Sequence, residues 1–205
     1  MAILIPAAGQ SRRMRGRDKL LEPVEGLPLL RRQALVARAT GAPVMITLPA
    51  DCPARAAALS GLAGLCVQPL GDAAEGISAS ICAGARWARH LGAAGLMILL
   101  ADLPELRLAD LRAMLAGFAA APDRALRATD ADGRPGHPVI LPARMLADLE
   151  TLRGDDGARA LLARDPPASL MLPEARATTD LDTPEDWAAW RARRAGGRAR
   201  EGKDD

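Results

Sequence analysis

Small residues and positive charges meet near the start of the chain, in a pattern that suits phosphate binding. Ala7, Ala8 and Gly9 have almost no side chain, so a ligand can approach their backbone N–H groups closely. The residues that follow bring one hydroxyl and several cations: Ser11, Arg12, Arg13, Arg17 and Lys19. Backbone N–H groups backed by fixed positive charge stabilise bound phosphates, so this loop predicts a polyphosphate site rather than a surface turn.

The loop differs from two common phosphate-binding loops. It lacks the Gly-Lys-Ser/Thr ending of a Walker A loop and the G-x-G-x-x-G spacing of a dinucleotide-binding turn. Residues 3–5 before it are apolar and favour a strand, and Pro6 stops sheet pairing. A buried strand should therefore present the loop at its carboxyl end.

Aspartates at two other places could bind a metal ion. Asp102 directly follows residues 96–100, the most apolar run of the chain. A carboxylate there suits Mg²⁺, which takes few carboxylates together with phosphate oxygens. Asp180 and Asp182 point the same way in an extended segment, because side chains alternate, and Asp182 could supply a second ligand. At both places the alternative is capping of the following helix.

Three further segments place polar residues where they could contact a substrate. Gly76, Ser78 and Ser80 lie at the start of a predicted helix and could contact a base or a ribose. His137 lies between a glycine and a proline, where it could contact a phosphate or a ring, or serve only the fold. Asp155 belongs to a loop that could close over a substrate or simply cap a helix.

Apolar runs alternate with helical stripes through the first part of the chain. Strands are predicted from these runs: residues 3–5, 44–48, 65–67 and 96–100. Helices are predicted between them, and Leu108, Leu111, Leu115 and Phe118 form the stripe of another. This alternation predicts an α/β protein with a mostly parallel sheet and right-handed crossovers. The run at 96–100 suits the middle of that sheet, where both faces are buried.

The pattern changes after Pro122. Residues 124–129 and 137–141 flank a turn, which predicts a small antiparallel excursion beside the main sheet. Shorter segments, two helical and two extended, are expected after it: residues 145–152, 158–163, 170–172 and 177–181.

The C-terminal part begins with a strong helix start. Thr183 suits the N-cap and Pro184 the first helical position, and acidic residues follow in the first turn. We expect one domain over residues 1–194 and a disordered, charged tail over residues 195–205.

Composition excludes several classes of protein. A chain of 205 residues can bury one sizeable core, and its net charge of +2 provides no general field for nucleic acid. Aromatic residues make up only 2% of the chain, which argues against surfaces that stack bases. Three scattered cysteines without a CxxC pair predict a reducing cytoplasm. No apolar run is long enough for a signal peptide or a membrane span.

The opening loop resembles the signature of nucleotidyltransferases that join a nucleoside triphosphate to a phosphorylated acceptor. That signature is an apolar strand, then A-A-G-x-S-x-R-M-G, then a lysine; Arg15 stands here where glycine is usual, and Gly16 follows at once. With later segments, the chain up to about Trp190 resembles the molybdenum cofactor nucleotidyltransferase family. The later segments that carry this resemblance are residues 76–80, 101–104, 136–138, 154–159 and 180–184.

The resemblance implies a three-layer, Rossmann-like fold of the nucleotide-diphospho-sugar transferase (GT-A) type and a Mg²⁺-dependent reaction. CMP would pass from CTP to the molybdopterin-bound molybdenum cofactor with release of diphosphate, and a recipient molybdoenzyme would be a further partner. Ala8, Gly9 and Ser11 favour the cytidylyltransferase branch, because the guanylyltransferase branch usually has a Gly-Gly pair in this loop. The alternatives are a GTP-using enzyme, an enzyme acting on a sugar or polyol phosphate, and a non-catalytic cofactor-delivery protein.

The resemblance also implies roles for individual residues. Arg13, Lys19 and Asp102 would be catalytic, with Arg13 and Lys19 neutralising the departing diphosphate. Asp102 and Asp182 would bind Mg²⁺. The acceptor would be bound by His137, Asp155 and Asp180. The nucleotide would be bound by Ala7, Ala8, Gly9, Ser11, Arg13, Lys19, Gly76, Ser78, Ser80 and Asp102.

Overall fold

The computed structural model describes residues 1–71, 76–154 and 157–201. Its strands are β1 (Ala2–Pro6), β2 (Pro23–Val24), β3 (Leu27–Pro28), β4 (Val44–Pro49), β5 (Leu65–Leu70), β6 (Gly95–Ile98), β7 (Leu126–Thr129), β8 (Pro135–Pro142) and β9 (Ala168–Met171). Its α-helices are α1 (Leu29–Arg38), α2 (Pro53–Leu59), α3 (Gly76–His90), α4 (Leu108–Ala120), α5 (Leu146–Leu149), α6 (Arg159–Arg164) and α7 (Pro184–Glu201). Short 3₁₀ helices lie at Arg12–Met14 and Ala143–Met145.

The main sheet has the strand order β5-β4-β1-β6-β8-β7-β9, and β2 pairs separately with β3. Strands β5, β4, β1 and β6 are parallel to one another. All four residues of β6 are buried in the middle of the sheet, as their uninterrupted apolar run predicts. The α/β class and the mostly parallel sheet are therefore confirmed.

Side chains of the parallel strands alternate between two apolar layers. Ile3 and Ile5 pack in the layer that contains α1 and α4, whereas Leu4 packs in the layer that contains α3 and α5. Gly84 brings α3 close to β1, since a Cβ at that position would lie 2.7 Å from a methyl carbon of Leu4. With both faces covered, the loops beyond the carboxyl ends of the strands are the natural place for a ligand.

The predicted antiparallel segment is inserted into the main sheet. Strand β8 pairs antiparallel with both β6 and β7, and β9 pairs parallel with β7. At the start of β8, a Cβ on Gly136 would lie only 2.0 Å from the carbonyl oxygen of Ala177. The backbone N–H of His137 donates to that same oxygen at 2.9 Å. Glycine at position 136 is therefore what lets β8 approach the segment that leads to α7.

The strand predicted over residues 177–181 is wrong. The N–H groups of Thr178 and Thr179 both donate to the carbonyl oxygen of Ala175, at 3.0 and 2.9 Å, so this segment begins as a turn. Its apolar residues, Ala177 and Leu181, are buried against other side chains rather than in a sheet.

Helix α7 begins where the sequence predicts. The N–H of Thr183 donates to the Asp186 carboxylate at 2.8 Å, and the N–H of Asp186 donates to the Thr183 hydroxyl at 3.2 Å, which is a reciprocal cap. The described part of the helix ends at Glu201. The division into a domain over residues 1–194 and a disordered tail over residues 195–205 stays a prediction. Residues 202–205 lie outside the described part of the chain. Every helix in the described ranges is too short or too polar to cross a membrane.

Candidate functional site

A cavity of about 400 Å³ opens where β1 and β6 end. Several residues that the sequence predicts for the nucleotide line it: Ala7, Ala8, Gly9, Lys19, Ser80 and Asp102. Because β1 and β6 are parallel neighbours, their carboxyl ends bring the small-residue loop and Asp102 to one edge of the sheet. The volume lies within the range of small-molecule pockets, about 300–1,000 Å³.

The loop after β1 is anchored by an apolar cluster. Ser11 has a φ angle of 47°, a left-handed conformation that is uncommon for residues with a Cβ, and the 3₁₀ helix Arg12–Met14 follows it. Met14 is buried in a cluster that includes Leu181 and Trp187. This cluster connects the loop to the segment before α7 and so brings residues that are far apart in sequence to one site.

Arg55 holds the same loop, and the sequence did not reveal this role. Its guanidinium is 3% exposed and donates to the carbonyl oxygens of Ala7 and Gly9 at 2.6 and 2.7 Å. It also forms an ion pair with Asp18 at 2.6 Å and a hydrogen bond with the Ser11 hydroxyl at 3.2 Å. The signal in the sequence is slight: Arg55 is the one charged residue in the otherwise apolar α2. The contacts fix the shape of the loop before any ligand arrives.

Lys19 joins the loop to both predicted metal ligands. Its amine lies 2.5 Å from a carboxylate oxygen of Asp102 and 2.6 Å from one of Asp182. Burial lowers the pKa of the Lys19 amine, but Asp102 and Asp182 outweigh burial, so the pKa is raised and the amine is charged. The structure therefore brings Lys19, Asp102 and Asp182 together.

The carboxylates at this edge suit a divalent cation. The Oδ1 atom of Asp102 is buried and has no hydrogen-bond partner, so it is available to a ligand. The N–H of Leu181 donates to the backbone oxygen of Asp102 at 3.3 Å, which connects the two acidic segments. Partial desolvation raises the pKa of the Asp180 carboxyl, and the negative charges of Asp182 and Asp102 raise it further. Among the described residues, no group of three or more acidic, histidine or cysteine side chains is arranged around an ion position. The unpartnered Asp102 oxygen is the feature that fits Mg²⁺ or a similar hard cation.

Two predicted nucleotide residues, Arg13 and Ser78, do not line the cavity, whereas Ser80 does. Arg13 is 70% exposed and forms an ion pair with Asp182 at 2.6 Å. The hydroxyl of Ser80 accepts a hydrogen bond from that of Thr47 at 2.9 Å, which ties α3 to β4 beneath the cavity. Ser78 is buried, and its N–H donates to the backbone of Gly154 at 3.4 Å. Gly76 begins α3, and its contacts with a nucleotide stay a prediction.

His137 lines a second cavity of about 550 Å³. Burial is the main cause that lowers the pKa of His137, to about 4, so its imidazole is neutral at ordinary pH. Its Nδ1 atom is buried without a hydrogen-bond partner. Arg127 and Arg159 line the same cavity, although the sequence did not mark them for a role of their own. Asp155, predicted to bind the acceptor, lies outside the described residues.

Known proteins resemble the chain in sequence and in structure. The family described as MobA-like NTP transferase domain matches residues 3–169. The purine catabolism protein PucB of Bacillus subtilis is 33% identical over 119 residues, which cover 57% of this chain and 56% of that relative. The match therefore spans little more than half the length of the relative.

Solved structures extend the similarity to nearly the whole chain. The crystal structure of Rv0371c from Mycobacterium tuberculosis superposes with a TM-score of 0.78 at 29% identity, covering 92% of this chain and 96% of that chain. The manganese complex of Rv0371c superposes with a TM-score of 0.74 at 28% identity and the same coverage.

Proposed function

The chain belongs to the MobA-like NTP transferase family, and from that premise we propose that it transfers CMP from CTP to a phosphorylated acceptor and releases diphosphate. The observation that carries this proposal is the Lys19 amine, held between Asp102 and Asp182 at the wall of the nucleotide-sized cavity. A charged amine there can contact the phosphates of a bound nucleotide. The backbone N–H groups of residues 7–9 would contact the same nucleotide.

The proposed reaction needs little acid–base chemistry. An oxygen of the acceptor phosphate forms a bond to the α-phosphorus of CTP, and the bond from that phosphorus to the oxygen bridging to the β-phosphorus breaks. Diphosphate leaves with the electron pair of the broken bond. A phosphate monoester is largely ionised at neutral pH, since its second pKa is about 6. Positioning and charge neutralisation therefore supply most of the rate, with Lys19 and Arg13 stabilising the departing charge.

Asp102 and Asp182 are the residues that we propose to hold a divalent cation, which we take to be Mg²⁺. A bound cation would neutralise charge on the triphosphate and orient it. The unpartnered Oδ1 of Asp102 supports this assignment, and the manganese complex of Rv0371c is consistent with it.

For the acceptor we propose the molybdopterin-bound molybdenum cofactor, with a molybdoenzyme as the recipient of the product. Support comes from the resemblance described above and from the cavity around His137, which adjoins the nucleotide cavity through the shared residue Ile77. Asp180 and Asp155 are proposed to contact the acceptor. The free thiols of Cys52, Cys66 and Cys82 suit the reducing compartment, the cytoplasm, that we propose for this reaction.

The proposal is tested by measuring diphosphate release with each nucleoside triphosphate in the presence of molybdenum-loaded molybdopterin and Mg²⁺. We expect release with CTP to exceed release with GTP. Equal turnover of the two, or a preference for GTP, would contradict the choice of CTP. Tight binding of the acceptor without diphosphate release from any nucleotide would instead favour a delivery protein.

A further inference from the structure

Two arginines line the cavity that contains His137. Arg127 extends from β7 and Arg159 begins α6, and both line this cavity of about 550 Å³. Burial lowers the pKa of the Arg127 guanidinium, and the charge of Arg159 lowers it further. The wall of this cavity therefore carries two positively charged side chains.

This positive charge is not neutralised by the described part of the chain. Arg127 donates a hydrogen bond to the carbonyl oxygen of Gly136 at 3.1 Å, a neutral partner. Neither Arg127 nor Arg159 forms an ion pair with a carboxylate among the described residues. By contrast, Arg55 and Arg176 are each paired with an aspartate.

The rest of the cavity wall is apolar, with one further polar atom that lacks a partner. Ile77, Ile98 and Val139 contribute apolar surface. The Nδ1 atom of the neutral His137 is buried in the same wall and makes no hydrogen bond. A ligand with a polar group near His137 would satisfy an atom that is otherwise costly to bury, by about 1–3 kcal/mol for a typical polar group.

We propose that this cavity binds an anionic group on a compact, largely apolar body, with Arg127 and Arg159 contacting the anion and His137 contacting a polar edge of the body. The inference rests on the proposed function, because Ile77 lines both cavities and so places this site beside the nucleotide. A phosphate ester is the acceptor chemistry that matches it, since guanidinium groups bind phosphate oxygens in pairs.

The test uses phenyl phosphate, which joins an apolar ring to a phosphate, with phenol and inorganic phosphate as partial probes. Binding is measured by titration calorimetry on the full chain, with and without a saturating, non-hydrolysable CTP analogue.

The variants are Arg159→Gln, whose side chain is exposed, and the double variant Arg127→Gln with Arg159→Gln. Arg112→Gln, an exposed arginine on α4, is the matched control. Circular dichroism and melting establish that each variant is folded.

We expect phenyl phosphate to bind more tightly than either partial probe. The double variant should lose at least about 10-fold in affinity, because one charged hydrogen bond contributes about 1.5–3 kcal/mol and 1.4 kcal/mol is tenfold. Arg159→Gln should show part of that loss, and Arg112→Gln none. Affinity within about twofold of the parent in the folded double variant would overturn the proposal, as would phenol binding equal to that of phenyl phosphate.

Failure of this inference and failure of the proposed function give different results. Arginine-dependent binding of phenyl phosphate without nucleotide turnover would contradict the transferase function and support the anion site. Nucleotidyl transfer together with phenyl phosphate binding that ignores both arginines would contradict the anion site alone.

Discussion

At the scale of single residues, the Lys19 amine connects the separate segments that form the site. Its amine contacts Asp102 and Asp182, which are 83 and 163 positions away in sequence. In the ligand-free protein the ammonium group offsets the repulsion between these carboxylates. A bound divalent cation would neutralise these carboxylates in place of Lys19, and the Lys19 ammonium group would then be free to contact the triphosphate. Binding of the cation and of the triphosphate is therefore expected to be mutually favourable.

Substitution of Asp102 tests the metal hypothesis. Asp102→Asn keeps the size of the side chain and removes its charge, so we expect diphosphate release to fall at least about 100-fold and the Mg²⁺ requirement to rise. Its melting temperature should stay close to that of the parent. The matched control is Asp123→Asn, an exposed aspartate remote from both cavities. Asp102 does not cap the following helix, because α4 begins at Leu108 with Arg107 at its N-cap and Oδ1 of Asp102 accepts no hydrogen bond. Nearly normal turnover of Asp102→Asn at ordinary Mg²⁺ would contradict the metal assignment.

The buried imidazole of His137 should make the stability of the protein depend on pH. The pKa of His137 is about 4 in the folded protein and about 6.5 in an unfolded chain. As pH falls below about 6.5, the imidazole becomes protonated in the unfolded chain but stays neutral in the folded protein. The free energy of unfolding therefore decreases towards pH 4. The loss contributed by this one group is at most about 3 kcal/mol.

Chemical denaturation of the parent and of His137→Gln between about pH 7 and about pH 4.5 measures this contribution. The variant should lose less stability over that range than the parent. His90→Gln, which replaces the other histidine of the chain on the exposed end of α3, should behave like the parent. Parallel curves for the parent and His137→Gln would contradict the buried, neutral imidazole.

At the scale of elements, α2 acts as a support for the loop after β1. Arg55 is expected to tolerate substitution poorly, because its removal leaves the Asp18 carboxylate and two loop carbonyls without their donor. Breaking a buried ion pair from one side costs about 3–5 kcal/mol. We therefore expect Arg55→Met to lower the free energy of unfolding by about that amount and to weaken CTP binding.

Denaturant unfolding and calorimetric titration with CTP measure the two effects. Arg38→Met, an exposed arginine on α1, is the control and should change neither quantity appreciably. If Arg55→Met unfolds like the parent, the contacts of α2 do not hold the loop.

The elements also show what the sequence could and could not predict. The strands β1, β4 and β6 were evident from continuous apolar runs, because strands buried on both faces need no polar alternation. The start of α7 was evident from its capping residues. Residues 177–181 were misassigned because burial and sheet pairing select similar apolar residues over so short a segment. Arg55 could not be found, since its role depends on where α2 docks and its partners lie 37 to 48 positions away.

At the scale of the whole molecule, sheet order explains why two cavities lie side by side. Strand β6 is hydrogen-bonded to β1 on one side and to β8 on the other. The loop after β1 and Asp102, which follows β6, therefore line one cavity, and His137 of β8 lines the other. Ile77 lines both cavities, so ligands bound in the two would lie next to each other.

The central claim is that the cavity at Lys19 transfers a nucleotidyl group, and label transfer tests it most directly. CTP labelled at its α-phosphate is incubated with the parent, Mg²⁺ and molybdenum-loaded molybdopterin, and then with Lys19→Met and with the control Arg112→Met, an exposed arginine on α4. We predict that the parent and the control place label on the acceptor with one diphosphate released per transfer. Lys19→Met, folded as judged by circular dichroism, should be slower by at least about 100-fold. No labelled acceptor with the parent from any nucleoside triphosphate, or undiminished transfer by Lys19→Met, would contradict the claim.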